Sequence, residues 1–533
     1  MITAIAWLTI LVFMALIMAK KVHPFVGLAL VPIVFTVIGS FFGIFRQAVA
    51  DFNEVPVADV GYVDQLQAFG DWATEGMTKT SSTAFMLLFA ILFFSVMLAV
   101  GLFDPLTKQI LRIAKGDPLK ILVGTGLISA VVSLSGDGTT TTLIVCSALI
   151  PIYRRLGLRL MDLAVILILM NTILNLLPWS GPTARVLAVL PEVQANEILP
   201  ALVPPMAASV VFVMLICVYR GLRERKRLGV SHLSREEIDE LMASRRLDGG
   251  VFTVTRSKPV MAVNTVLTVG ALAVLMAGVF EPVFIFLAGT LIAFAVNFPK
   301  ISDLKEFIDA TAADVLQTVI MVIGAGVFMG LFTSSGMSTA VAHSLINVFP
   351  ASFGESWPFV VALVGAPGGF FLSNDAFFYG VLPVLGEAGQ VYGFSQFEIG
   401  YAALMGQAFH MLSPLTAFIY LLLNLTKQDM GEWQRAAGKW AAGIFAIMLG
   451  VSMATGQLAV PAIPFDAWEF WLGCVVLIAA VAAGVMALRA RRRRSPAPQS
   501  EESEADDAQA VDAGETRPDT ARPVTAGSGS GNS

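Results

Sequence analysis

Apolar residues run along this chain in long blocks, with the charged positions gathered between them. Blocks able to cross ~30 Å of hydrocarbon as helices occupy about 2–19, 24–45, 85–103, 162–190, 201–220, 260–279, 282–297, 317–335, 398–425, 439–457 and 467–488. Lys and Arg cluster at 20–21, 108–120, 154–159, 220–258, 300–305, 427–439 and 489–494, whereas 46–84, 191–200, 336–356 and 458–466 nearly lack them. Because basic loops stay on the cytoplasmic side, this alternation predicts a multi-pass protein of the cell membrane with its N-terminus outside and its C-terminus cytoplasmic. The pair Lys20-Lys21 follows the first apolar block instead of preceding it, which reads as a retained span and not a cleaved leader.

Two stretches do not fit straight spans. Lys120 and Arg154 belong on the same side, yet 121–152 between them is mostly apolar and is interrupted at Gly136-Asp137-Gly138. A re-entrant hairpin satisfies both ends. The stretch 357–393 is flanked by segments poor in positive charge and breaks at Gly368-Gly369 and Ser373-Asn374-Asp375, which predicts a second hairpin. The expected architecture is an all-α polytopic membrane protein with about eleven transmembrane helices and two re-entrant hairpins.

Landmarks also recur along the chain. Gly101 matches Gly336, Asp137 matches Asn374, and Pro178 matches Pro414, at separations of 235, 237 and 236. The two copies start on opposite sides of the membrane. Inverted repeats with paired broken segments are the architecture of secondary transporters. The expected division is a first repeat at 1–220, a cytoplasmic linker at 221–258, a second repeat at 259–457, a last helix within 458–490 and a disordered tail at 491–533. In the linker, Ser234 and Glu237 suggest a capped short helix.

Composition agrees with the pattern and removes other classes. Of 533 residues, 56% are hydrophobic and 14% charged, against roughly 25% charged in soluble domains. The formal charge of −5 belongs to the tail, where 495–533 holds eight acids and two arginines, so the remainder is nearly neutral. Cys146, Cys217 and Cys474 lie inside apolar runs and offer neither a disulfide framework nor a metal-ligand spacing. No phosphate-binding Gly-Lys-Ser/Thr loop and no His-Glu-x-x-His or Gly-x-Ser-x-Gly set is present, so ATP-driven transport is not encoded and these hydrolase signatures are missing. A channel has no need of an inverted pair of hairpins. The chain reads as a transporter, not an enzyme, with membrane lipid around it and no nucleic-acid partner.

The chemistry is concentrated at four breaks: 133–142, 178–183, 373–375 and 413–416. Backbone breakers at membrane depth are tolerated where the freed groups line a wet or protein-lined cavity. Helices restarting at a break aim N–H groups at an anion. Asp137 and Asp375 either cap the second hairpin arms or couple ions to transport, since an acid at that depth is costly. A bound anion nearby raises a carboxyl pKa and so draws in a proton, and a carboxylate also suits Mg2+ or Ca2+. Arg185 is placed either to hold a carboxylate by paired hydrogen bonds or to snorkel to the interface. Ser135, Gly136, Gly138, Thr139, Ser180, Gly181, Thr183, Ser373, Asn374, Ser413 and Thr416 supply hydroxyls, amide groups and close backbone for substrate. His410 is a candidate for proton coupling or a packing residue. Asn171 and Gln407 occupy matching repeat positions, and Asn175 lies nearer the first break.

Ser135-Gly-Asp137-Gly-Thr-Thr, the run Leu177-Pro-Trp-Ser-Gly-Pro-Thr-Ala-Arg185 and the run Leu372-Ser-Asn-Asp-Ala-Phe-Phe-Tyr-Gly-Val-Leu-Pro383 resemble the citrate–metal:proton symporters of the ion-transporter superfamily. The resemblance spans about 1–455. It implies uptake of citrate complexed with a divalent cation, with protons moving inward. It further implies a homodimer in which a fixed scaffold carries a moving, elevator-type transport domain. The metal, Mg2+ or Ca2+, belongs to the cargo, and no permanent cofactor is implied. Sodium-coupled relatives carry Ser-Asn-Thr at the breaks, where this chain has Gly-Asp-Gly-Thr and Ser-Asn-Asp. Alternatives from the same superfamily are a di- or tricarboxylate carrier without metal requirement and a sodium/proton antiporter.

Charge arithmetic also favours a chelate. Free citrate carries close to three negative charges at neutral pH, costly to desolvate, whereas its divalent complex keeps about one.

Overall fold

The computed structural model describes residues 1–19, 21–102, 104–230, 236–237, 256–346 and 354–459, with no strand among them. The first helices are α1 (Ile2–Met18), α2 (Pro24–Phe41), α3 (Arg46–Asn53), α4 (Tyr62–Ala99) and α5 (Asp104–Ala114). They are followed by α6 (Pro118–Ser133), α7 (Gly138–Leu156), α8 (Leu160–Leu174), α9 (Gly181–Val189) and α10 (Ala195–Leu228). Next come α11 (Lys258–Ala277), α12 (Pro282–Asn297), α13 (Ile301–Ser334), α14 (Met337–Ile346) and α15 (Trp357–Phe371). A π-helical turn at Ala376–Val381 leads into α16 (Leu382–Val391), α17 (Gln396–Met405), α18 (Gln407–His410), α19 (Ala417–Thr426) and α20 (Met430–Ala454).

Helix starts follow local chemistry. Pro24, Pro118 and Pro282 open α2, α6 and α12, where a missing N–H costs nothing. Asp117 accepts from the Leu119 amide, and Ser395 with Glu398 forms a reciprocal capping box at α17.

Six helices, α2, α4, α10, α11, α13 and α20, are long and apolar enough to cross a membrane. The expected spans at 2–19 and 282–297 are helices of 17 and 16 residues. Those at 162–190 and 398–425 are each divided by a break, into α8 and α9 and into α17, α18 and α19. The expected span at 467–488, Ser234 in the linker and the tail lie outside the described residues.

Three stretches between the apolar blocks hold helix among their described residues. Residues 46–84 hold α3 and the first half of α4, 298–316 is the start of α13, and 336–356 contains α14. Hydropathy registers only the fully apolar part of a span. Helix α4 begins as an amphipathic helix instead, with Gln65, Ala68, Phe69, Trp72 and Gly76 buried at three- and four-residue spacing among surface charges.

The long helices α4 and α13 cross with their backbones in contact. A Cβ at Gly76 would lie 2.0 Å from the Gly326 carbonyl oxygen, and one at Gly330 would lie 2.1 Å from that of Trp72. No larger residue fits there. Helices α2 and α12 pack on this pair, and Thr290 donates to the Phe89 carbonyl at 2.8 Å.

Around a second centre, α6 packs on α7, α8 and α10, while α15 packs on α17 and α18, and α20 on α8, α10 and α18. Ion pairs tie one end of this group: Glu224 meets Arg159 and Arg227, Asp162 meets Arg220, and Asp117 meets Arg225. Pairing is what lets such nearly buried charges persist. Helix α9 touches both groups, packing on α4, α13 and the π turn. One order of elements runs through 62–228 and again through 301–454: a long helix, a short one, two arms about a break, an interrupted helix and another long helix.

Candidate functional site

The four expected breaks are real interruptions, lying between α6 and α7, α8 and α9, α15 and the π turn, and α18 and α19. Each is held to the next by a specific contact.

At the first hairpin tip Gly136 has φ +77°, a left-handed conformation that glycine adopts without steric cost. A Cβ there would also lie 2.5 Å from Ser180 Oγ. Asp137 caps α7, its carboxylate accepting from the Thr140 amide at 2.5 Å. Trp179 Nε1 donates to the Leu134 carbonyl at 2.9 Å, fastening the α8–α9 break to this tip. The indole is itself anchored, stacking on Phe94 at 5.5 Å and meeting Phe286 edge-on at 5.3 Å. Within the break, Thr183 Oγ1 donates across to the Leu176 carbonyl at 2.6 Å.

One turn into α9, Arg185 reaches the second hairpin. Its Nε and Nη2 lie 2.9 and 2.8 Å from Asp375 Oδ1. Its guanidinium carbon lies 5.9 Å from the centre of the Tyr379 ring. The side chains of this pair are 23% and 22% exposed, so the contact is screened from water without being sealed. Ser373 Oγ accepts from the Ala376 amide at 3.2 Å and so starts the π turn. π-Helical turns are uncommon and frequent at functional sites.

The second hairpin is fastened in turn to the α18–α19 break. His410 Nδ1 meets the Gly369 carbonyl at 2.8 Å, and Thr416 Oγ1 lies 3.4 Å from His410 Nε2. Helix α19 closes the circuit, because a Cβ at Gly138, where α7 begins, would lie 2.6 Å from the Phe418 ring. The four breaks therefore form one ring.

Arg185 meets Asp375 and Tyr379 within this ring. Asp137 serves as a cap, whereas Asp375 makes no capping bond and holds Arg185. Gly136 backs Ser180, and a Cβ at Gly181 would lie 2.7 Å from Arg185 Nη1. The hydroxyls of Thr183, Ser373 and Ser413 are engaged locally, the last accepting from the Leu415 amide at 3.2 Å. Thr139 stays exposed beside Asp137.

Several polar atoms around the ring have no protein partner while buried: the hydroxyls of Ser133, Ser135, Thr141, Thr142 and Ser180, Asn374 Oδ1, and both amide atoms of Asn171 and Gln407. Buried polar groups are normally satisfied, so these atoms have hydrogen-bonding capacity that the protein itself leaves unused. Among residues the sequence did not single out as site members, Trp179, Tyr379, Gly369 and Phe418 join the breaks. Trp179, Tyr379 and Gly369 had a signal, in the Pro178-Trp179-Ser180 run, the Leu372–Pro383 run and the Gly368-Gly369 break, whereas Phe418 had none.

Fold and site together define a polytopic helical membrane protein organised around converging helix breaks. The citrate transporter family profile matches residues 1–406. A citrate transporter of Bacillus subtilis (strain 168) is 36% identical over 460 residues, covering 86% of this chain and all of the relative. A Mg(2+)/citrate complex secondary transporter of the same organism is 35% identical with the same coverage. The chain belongs to the citrate transporter family.

Proposed function

We propose that this protein imports citrate as a complex with a divalent cation, Mg2+ or Ca2+, driven by proton symport. One observation carries the reading: at the junction of two breaks a guanidinium, a group suited to a carboxylate, pairs with a carboxylate, a group suited to a cation, in Arg185–Asp375. The pair is neutral at rest. A chelate supplies a carboxylate for the guanidinium and a metal for the carboxylate, so both charges exchange one partner for another. Free citrate offers nothing to Asp375 and repels it, and a bare cation offers nothing to Arg185.

Among the described residues no group of three or more His, Cys, Asp or Glu converges. The metal shell is therefore completed mainly by citrate oxygens, in keeping with hard-cation chemistry. The unpartnered hydroxyls and amides, with Ser135, Thr139, Ser180 and Asn374 nearest the tips, meet the remaining citrate oxygens. Asp137, Asp375 and His410 are the proton candidates, because an anion bound beside a carboxyl favours its protonation.

The recurring order of elements supports two inverted repeats, divided at the 221–258 linker. The α4–α13 pair with α2 and α12 then forms the scaffold, and the hairpins with α8–α10 and α17–α20 form a transport domain moving as an elevator in a homodimer. The N-terminus lies outside.

The test is uptake of labelled citrate into proteoliposomes carrying the full chain, with Mg2+, with Ca2+ or with a chelator, under an imposed pH or sodium gradient. Uptake that needs divalent metal and follows the pH gradient is expected. Uptake indifferent to metal that follows sodium overturns the proposal.

A further inference from the structure

We propose that the crevice between α5, α6 and α10 binds an anionic phospholipid, one acyl chain inside it and the phosphate on Lys120. The crevice has a volume of about 350 Å3 and is lined by Ile110 and Ile113 of α5, Val123 and Leu127 of α6, and Val218 of α10, with Lys120 the one charged residue among the described lining.

The site has two chemically distinct ends. Ile110, Ile113 and Ala114 recur at three- and four-residue spacing and form one apolar stripe of α5. That stripe lies close on α6, since a Cβ at Gly124 would come within 2.6 Å of Ile110 Cγ2. Ile113, Leu127 and Val218 remain exposed on the outer surface of the helices. The slot therefore opens on the outer surface of these helices, where covering its apolar lining with an acyl chain is favourable. Lys120 is exposed in the first turn of α6, and Lys115 is exposed just beyond α5.

An amphiphile with one chain and an anionic head matches this distribution of apolar and positive surface. A second helix does not, because the opening is a slot with a cation at one end and not a flat face. The site also has a mechanical position. Helix α5 is the connection from α4, in the α4–α13 group, to α6, in the hairpin group. A chain wedged beneath α5 stiffens that connection. The inference does not depend on which carboxylate is transported.

Native mass spectrometry on the purified full chain in detergent tests it, comparing phosphatidylglycerol and phosphatidylcholine with identical acyl chains. A basic residue at a membrane surface favours anionic lipid by about fivefold, the ratio that corresponds to ~1 kcal/mol. Wild type is expected to retain phosphatidylglycerol about fivefold better. Lys120→Gln, a surface change that leaves the packing intact, is expected to bring the two lipids to parity, and Val123→Phe to lower retention of both. Equal retention by wild type, or a preference that survives Lys120→Gln, overturns the proposal.

Discussion

Arg185 and Asp375 stand 190 positions apart in the chain and form an ion pair, the guanidinium gripping Asp375 Oδ1 through Nε and Nη2 at 2.9 and 2.8 Å. The contact joins the broken helix of the first half to the hairpin tip of the second. Arg185→Lys keeps the charge and removes both the forked geometry and the ring contact with Tyr379. Hydrogen bonds to charged groups contribute ~1.5–3 kcal/mol, so the apparent KM for citrate should rise at least about tenfold. Uptake kinetics in proteoliposomes check this, and an unchanged KM would remove Arg185 from the substrate site.

Asp137 has two separable roles. Asp137→Asn keeps an N-cap acceptor for the Thr140 amide and removes the charge, whereas Asp137→Ala removes both. Loss of the cap costs ~1 kcal/mol, so only the alanine variant should melt at lower temperature. If the charge couples ions to transport, both variants lose most citrate uptake. An asparagine variant that transports normally would leave Asp137 as a cap alone.

Trp179→Phe retains an aromatic ring against Phe94 and Phe286 and deletes the donor to the Leu134 carbonyl. A lost hydrogen bond of this kind costs ~1 kcal/mol. The variant should melt a few degrees lower and bind citrate more weakly, because the first hairpin tip is no longer tied to the α8–α9 break. Thermal unfolding and citrate titration on the same preparation measure both effects.

His410 engages the Gly369 carbonyl through Nδ1 and approaches Thr416 through Nε2. Asparagine can still donate to Gly369 and cannot titrate. If His410 carries the coupled proton, His410→Asn should flatten the pH dependence of uptake while citrate binding is preserved. A wild-type profile in this variant assigns the proton to the carboxylates.

Much of this organisation was legible in the sequence, because breakers and small polar residues are costly inside apolar blocks and persist where the backbone turns within protein. Gly136-Asp137-Gly138 announced both the turn and the cap, and Pro178 through Thr183 announced the interrupted helix. The Arg185–Asp375 partnership was not legible, since no local pattern links residues so far apart. The first half of α4 was also missed. Charges on the solvated face of α4, such as Asp64 and Asp71, lower the hydropathy of its first half although its other face is buried. Likewise, the engagement of Thr183 with Leu176 depends on the turn between α8 and α9, which the residue types alone do not specify.

The most direct test compares labelled-citrate uptake by wild type and by Asp375→Asn, each measured with Mg2+ and with a chelator. If the ion pair divides between the anion and the cation of the chelate, the neutral side chain no longer needs a metal to replace Arg185. The ratio of uptake with Mg2+ to uptake with chelator should then fall by about tenfold or more, the factor expected for loss of a charge-assisted contact. A variant that still transports with the wild-type ratio would contradict the account.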